Sequence, residues 1–219
     1  MRLPSLTQFQ FKGLAAVLMV IDHIGAIFFP DIALLRIVGR LSFPLFAWLL
    51  VQGEAHTRHF WRYALRLLLL AFLSQTFYWG VFEIWGWWWE LNILFTLLVG
   101  LLGLRVARRW PKFAIGFWVA AALIAEALRM DYGAYGIGAI AILQAYRFTL
   151  PWWSAWGALH LAYALMGGVH QLPALAVPLL LYLSNGIQGC RARWFYWFYP
   201  GHLAILWLIH YGMQTRALG

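Results

Sequence analysis

The chain has 219 residues, of which 64% are apolar and 11% are charged, and its mean hydropathy is +0.73. This composition excludes a soluble globular domain, in which about 25% of residues are charged, and a disordered chain, which requires low hydrophobicity. The net charge of +9 does not indicate nucleic-acid binding, because the 16 lysines and arginines lie between apolar runs rather than on one basic face. We therefore predict an all-α, polytopic integral membrane helix bundle.

Apolar runs close to the length of a membrane-crossing helix, about 20 residues, divide the whole chain. They predict about nine transmembrane helices in a single domain, residues 1–219, because the connections are too short for a soluble domain. The two short runs indicate tilted, broken or re-entrant segments and are 134–149 and 172–184. The other predicted spans are 13–30, 34–52, 63–80, 88–104, 113–129, 152–168 and 194–212.

The distribution of basic residues predicts the orientation. Lysine and arginine are frequent in the connections that follow the even-numbered spans, whereas 79–90 and 167–171 contain none. Because basic loops stay on the cytoplasmic side, we expect a cytoplasmic N-terminus. Arg36 and Arg40 break this rule, since the scheme places them at the outer end of the second span.

The first span carries ionisable side chains, which are costly in lipid and therefore candidates for function. Lys12 and His23 are eleven residues apart, so they share a helix face and lie about 16 Å apart along it. Asp22 points about 100° away from His23, so it is expected to pair with a cation from another helix, and Arg40 is the natural partner. A purely structural tie between two helices is the alternative role of Asp22.

A second histidine, His202, lies in the segment FYPGHL (198–203) at the start of the last span. It is predicted to reach roughly 12 Å into the membrane and to meet His23 at the same level. Pro200 and Gly201 predict a bent or opened helix, which membrane proteins tolerate where the helix lines a cavity. Alternatively, His202 bonds a carbonyl freed by the proline.

A basic stripe precedes the third span, where Arg58, Arg62 and Arg66 recur every four residues. Guanidinium groups pair well with phosphate oxygens, so the stripe is a candidate phosphate-binding site. The alternative is contact with lipid headgroups.

Three polar residues are predicted near the outer ends of their helices and are candidates for substrate contact: Asn92, Asp131 and Tyr132. Asp131 and Tyr132 belong to the glycine-rich segment DYGAYG (131–136). A role as turn residues is the alternative.

No metal site is predicted, because the remaining histidines lack the spacing of metal ligands. Cys190 is the single cysteine, which excludes a disulfide framework.

Read in chain order, these segments together resemble the TraX family of membrane proteins, from about residue 12 to about residue 206. The family is named for a conjugation protein that acetylates the N-terminus of F-type pilin. The resemblance implies an acetyl-CoA-dependent N- or O-acetyltransferase in the bacterial cytoplasmic (inner) membrane. The segments that carry it are Lys12 to Gly25 with its DHIG block, 37–57 (IVGRLSFPLFAWLLVQGEAHT), 63–68 (YALRLL), 91–96 (LNILFT), 131–136, 184–186 (SNG) and 198–203.

A wider similarity concerns membrane acyltransferases that modify surface sugars. These carry an arginine, ten residues and a histidine in their first helix, and here Lys12 stands ten residues before His23 in the same arrangement. The basic stripe also resembles theirs.

Both resemblances imply acyl transfer across the membrane. The acetyl-CoA phosphates are expected to be held on the cytoplasmic side by Lys12, Arg58, Arg62, Arg66, Arg191 and Arg193. His23 is expected to act as general base, with Asp22 and Arg40 balancing charge and His202 or Tyr199 donating to the oxyanion. The acceptor, an exported protein N-terminus or a surface glycan or lipid, is expected to enter past Asn92, Asp131 and Tyr132.

The sequence leaves several alternatives open. Direct transfer and a transient acetyl-histidine are both compatible with these residues. A buried Asp–His pair is also compatible with a proton-coupled transporter, although no paired repeat is visible, and an assembly role would not need a histidine at depth.

Overall fold

A computed structural model describes residues 5–82, 90–192 and 194–217. Within these residues it contains helices and no strand, apart from isolated bridges between Leu6 and Ser184 and between Leu91 and Met130. The predicted all-helical class is confirmed. The helices are α1 (Gln8–Phe28), α2 (Ala33–Gly39), α3 (Ser42–His56), α4 (Phe60–Phe82), α5 (Ile93–Arg109), α6 (Ala114–Ala127), α7 (Gly133–Gln144), α8 (Leu150–Tyr163), α9 (Val177–Leu181) and α10 (Trp194–Ala217).

Four helical segments in the described part of the chain are long and apolar enough to cross a membrane, namely Gln8–Phe28, Ala33–His56, Phe60–Phe82 and Leu150–Leu181. This supports a multi-pass membrane protein but does not confirm nine crossings or the predicted orientation. The short predicted span 172–184 is an irregular segment, in which a 3-10 turn over Val169–Ala176 precedes the five-residue α9.

The first helix begins earlier than its apolar run, because a capping box closes its N-terminus. The Thr7 hydroxyl accepts from the backbone N–H of Gln10, and the Gln10 side chain accepts from the backbone N–H of Thr7. The helix is then unbroken from Lys12 to His23, so it carries both residues as predicted.

The second predicted span is interrupted at Arg40 and Leu41, between α2 and α3. Gly39 packs directly against Asp22, and a side chain at this position would overlap the Asp22 side chain. The missing side chain lets α2 approach α1 closely enough for arginines of the α2 segment to reach Asp22.

Helix α10 places the second histidine beside the first. It packs against α1 and α4, and it is helical throughout Trp194–Ala217 with Pro200 inside it. The predicted opening of the helix at Pro200 is therefore wrong, whereas the alternative, a bend at Pro200, stays a prediction.

Candidate active site

Asp22 is the centre of a buried ionic cluster. Its Oδ2 lies 3.1 Å from Nη2 of Arg40 and 2.9 Å from Nη1 of Arg36. The predicted pairing with Arg40 is confirmed, and it accounts for the position of this arginine against the charge rule. Arg36 was not predicted as a partner, although it lies four residues before Arg40 and breaks the same rule. The paired charges offset the cost of burying the carboxylate.

Tyr132 completes this cluster from the turn before α7. Its hydroxyl accepts from Nη1 of Arg40 at 3.3 Å, and its ring stacks on Phe43 with centroids 4.1 Å apart. The backbone of Tyr132 is left-handed (φ 63°), a conformation that is strained for a bulky residue. Strained backbone conformations persist where the surrounding structure holds the residue in place. In Tyr132 this conformation directs the hydroxyl to Arg40.

His23 and His202 meet as predicted. Nδ1 of His23 lies 3.0 Å from Nε2 of His202, and Nδ1 of His202 lies 2.9 Å from the carbonyl oxygen of Phe198. Both ring nitrogens of His202 are therefore engaged. The expected donation from His202 to an oxyanion is not supported, because neither nitrogen is left for a substrate.

A cavity of about 460 Å³ opens beside His23, and we call it the His23 cavity. Besides His23 and the ionic cluster, its polar lining includes carboxylates of Glu126 and Asp131. The predicted substrate residues Arg40, Asp131 and Tyr132 lie together in this lining. The cavity is polar and large enough for part of an acceptor molecule.

A second cavity of about 400 Å³, the Lys12 cavity, lies at the other end of α1. Lys12, Arg66 and Arg191 all line it, together with Tyr199 and Cys190. Three of the six basic residues expected to hold a cofactor are thus brought together. Tyr199 lines this cavity and not the His23 cavity, and its expected role as an oxyanion donor stays a prediction.

The predicted basic stripe is wrong at Arg58, because helix α4 begins at Phe60, whereas Arg62 lies in α4 four residues before Arg66 as predicted. Arg58 and Arg62 do not line the Lys12 cavity, so their contact with the cofactor stays a prediction. Arg66 does line it, and its guanidinium stacks 4.9 Å from the ring centroid of Tyr196. Arg193, the remaining predicted cofactor residue, lies outside the described residues.

Among the residues that the structure describes, the linings of the two cavities share Met19 and Ile93. The sequence predicts one continuous path from Lys12 to His23, whereas the structure has two cavities that adjoin at these two apolar side chains. A group passing between the cavities would move past Met19 and Ile93.

Asn92 has a structural role instead of the predicted substrate contact. It is fully buried, and its side chain accepts from the backbone N–H of Leu94 as the N-cap of α5. Its amide nitrogen donates to Gln75 at 2.7 Å and to the Ala71 carbonyl at 2.8 Å. An asparagine just before an apolar helix is the sequence signal for such a cap.

Glu54 is a buried acid that sequence analysis missed. Its side chain is 1% exposed, and its oxygens lie 2.8 Å from Nε of Arg105 and 2.7 Å from Nη2 of Arg108. These ion pairs join the end of α3 to α5. The sequence signal was an acidic residue inside an apolar run, which requires a buried cation as its partner. The sequence analysis assigned Arg105 and Arg108 only to a connection between helices.

Asp131 lies in the turn between α6 and α7, outside the four candidate spans. Burial raises its pKa from 3.8 to about 7, and the nearby Arg40 opposes this shift. The folded protein therefore holds a proton on Asp131 between about pH 4 and pH 7 that the unfolded chain releases. The cost of burying this charge is absent at low pH, grows as the pH rises to about 7, and is constant above it.

We expect Asp131→Asn to remove this pH dependence. Relative to the wild type, the variant should gain about 5–10 °C in Tm as the pH rises from 5 to 8, which corresponds to about two pKa units, or about 2.5 kcal/mol. Thermal unfolding in detergent across this pH range measures the difference. Asp31→Asn, at an exposed position, is the control, and a difference from the wild type that does not change with pH would contradict the prediction.

A family model described as TraX protein matches residues 8–210 of the chain. The probable fimbrial assembly protein FimC, serogroup H1, of Dichelobacter nodosus is 32% identical over 90% of this chain and 93% of its own length. Protein TraX of Escherichia coli strain K12 is 29% identical over 89% of this chain and 84% of its own length. No solved structure matches the chain.

Proposed function

Because the chain belongs to the TraX family, we propose that it is a membrane-embedded acyltransferase that uses acetyl-CoA. In this proposal CoA binds from the cytoplasm in the Lys12 cavity. The acceptor, an amine or a hydroxyl group of an exported protein or a surface glycan or lipid, enters the His23 cavity from the other side.

The observation that carries the proposal is the pair of adjoining cavities along α1. One holds basic side chains at Lys12, Arg66 and Arg191, and the other holds an imidazole and an ionic cluster. Phosphate groups favour the first environment, and proton transfer requires a residue such as His23 in the second. A thioester that passes Met19 and Ile93 would connect the two.

The proposed reaction balances with His23 as the base. Nε2 of His23 takes the proton of the acceptor amine or hydroxyl while the acceptor atom bonds to the thioester carbonyl carbon. Collapse of the tetrahedral intermediate breaks the carbon–sulfur bond, and the departing thiolate takes the proton from the imidazolium. The products are the acetylated acceptor and free CoA. An acetyl-histidine intermediate remains the alternative route.

Mass spectrometry of exported proteins, surface glycans and lipids, with and without the gene, tests this function. We expect one class to lose one acetyl group per molecule when the gene is absent. The purified protein should then transfer acetyl from acetyl-CoA to that class in vesicles. An unchanged acetylation pattern in all three classes would contradict the proposal.

Cys190 provides a direct test of the CoA site, because this single cysteine is exposed and lines the Lys12 cavity. We expect CoA to slow its labelling by a maleimide. Arg66→Gln and Lys12→Gln should each raise the CoA concentration needed for protection by about tenfold, the loss of a charge-assisted hydrogen bond of about 1.5–3 kcal/mol.

Arg109→Gln is the matched control, because Arg109 is an exposed arginine that lines neither cavity. Its half-protecting CoA concentration should equal that of the wild type. Labelling that is insensitive to CoA, or equally affected by all three variants, would place the CoA site elsewhere.

An assembly role is the second candidate, and the name of the Dichelobacter nodosus relative favours it. A protein that acts only through contacts with other proteins would retain its cellular role after His23→Ala. An acyltransferase would lose it.

A further inference from the structure

We propose that His202 is a positioning residue that fixes the tautomer of His23, so that Nε2 of His23 faces the acceptor as the base. This inference rests on the proposed function. It gives His202 a role through His23 and not through contact with the substrate.

The direction of the two hydrogen bonds follows from the last group in the series, the carbonyl oxygen of Phe198. The carbonyl oxygen of Phe198 only accepts, so Nδ1 of His202 must donate to it. In a neutral His202 the remaining nitrogen, Nε2, then only accepts. Because Nδ1 of His23 lies 3.0 Å from that atom, it must carry the proton, which leaves the lone pair of His23 on Nε2.

The other nitrogen of His23 is available for chemistry. Among the described residues, the structure gives Nε2 of His23 no hydrogen-bond partner, and His23 lines the cavity that we assign to the acceptor. The tautomer set by His202 is therefore the one in which a base faces the cavity. The opposite tautomer would present an N–H group there and would not accept a proton.

Aromatic rings restrict the movement of the histidine pair. The Phe198 ring stacks on His202 at 4.6 Å between centroids and an interplanar angle of 7°. The edge of Phe82 contacts His23 at 5.5 Å between centroids. Phe198 restricts the His202 ring and Phe82 restricts the His23 ring, so the hydrogen bond between the two imidazoles stays aligned through the reaction.

Asp22 does not make this contact, although a carboxylate often orients a catalytic histidine. Oδ2 of Asp22 is bonded to Arg36 and Arg40. No hydrogen bond joins Asp22 to His23 in the described structure. The imidazole of His202 takes the place of the carboxylate.

The His23–His202 pair also stabilises the proton that His23 takes from the acceptor during the reaction. When Nε2 of His23 accepts the acceptor's proton, the charged ring donates to His202 through a charge-assisted, stronger hydrogen bond. The proton returns to the departing thiolate, and both rings regain their starting forms. No oxidant or additional reactant is needed.

Two variants test the role of the acceptor atom on residue 202. His202→Phe keeps an aromatic ring but removes the acceptor, and we expect kcat to fall about 10²-fold, within the range for general base catalysis, with KM for acetyl-CoA unchanged. His202→Gln offers a side-chain oxygen to Nδ1 of His23 and should recover at least tenfold of that loss. In a His23→Ala background, His202→Phe should cause no further loss.

Nitrogen-15 NMR of histidine-labelled protein tests the tautomer without an activity measurement. The His23 signals, assigned by their absence in His23→Ala, should show a protonated Nδ1 and an unprotonated Nε2. In His202→Phe the Nε2–H tautomer should gain population. CoA protection of Cys190 confirms that each variant is folded.

The outcomes separate this inference from the proposed function. Full activity in His23→Ala would overturn the acyltransferase mechanism itself. An inactive His23→Ala combined with wild-type kcat in His202→Phe would overturn only the role of His202. An Nε2–H tautomer in the wild type would overturn both that role and the assignment of Nε2 as the basic atom of His23.

Discussion

Replacing His23 by alanine is expected to lower the rate of acetyl transfer by about 10²–10⁴-fold, the contribution of a positioned general base. The residue lines the His23 cavity, and its Nδ1 is bonded to His202. The measurement is acetyl transfer from acetyl-CoA by the purified protein in vesicles. CoA protection of Cys190 should be unchanged, because His23 does not line the Lys12 cavity.

His59→Ala is the matched control, since His59 is exposed and lines neither cavity. It should retain wild-type transfer. If His23→Ala transfers acetyl at the wild-type rate, the base is another group. If both histidine variants lose activity together with CoA protection, the loss comes from unfolding.

Asp22→Asn should have the largest effect on stability. The substitution leaves Arg36 and Arg40 without their shared counter-charge inside the helix bundle. Breaking a buried ion pair from one side costs about 3–5 kcal/mol, and even about 3 kcal/mol would lower the Tm by about 6–12 °C. Thermal unfolding in detergent measures this effect.

A second substitution makes the test specific to charge. The double variant Asp22→Asn/Arg40→Gln lacks one of the two unpaired cations. We therefore expect its Tm to lie between that of Asp22→Asn and that of the wild type. Asp31→Asn, an exposed acid in the α1–α2 connection, should leave the Tm unchanged. An Asp22→Asn protein as stable as the wild type would show that the ionic cluster does not stabilise the fold.

The site was predicted best where its geometry is local to one helix. Lys12 and His23 share α1 because eleven residues complete almost a whole number of helical turns. The partner of Asp22 was also predictable, since Arg40 is a charge that a membrane would otherwise exclude. The same argument applied to Arg36, which the sequence analysis did not assign to Asp22.

Predictions failed where a regular spacing was extended beyond the ends of a helix. The stripe from Arg58 to Arg66 assumed a helix that already includes Arg58, whereas α4 begins only at Phe60. Asn92 was predicted to contact the substrate, but its hydrogen-bond partners are Gln75 and the Ala71 carbonyl. These partners lie on a neighbouring helix and could not be identified from the sequence. Nothing in the order of residues indicates which helices become neighbours.

Composition and apolar run length determined the helical, membrane-embedded class, and the motifs determined the family, because these are properties of short segments read in order. The tertiary structure decided that the groups along α1 line two adjoining cavities, which share Met19 and Ile93 in their linings. It also decided how His202 bonds to His23, a residue 179 positions away in the chain. Both features depend on angstrom-scale distances between packed helices, which the periodicity of a single helix does not contain.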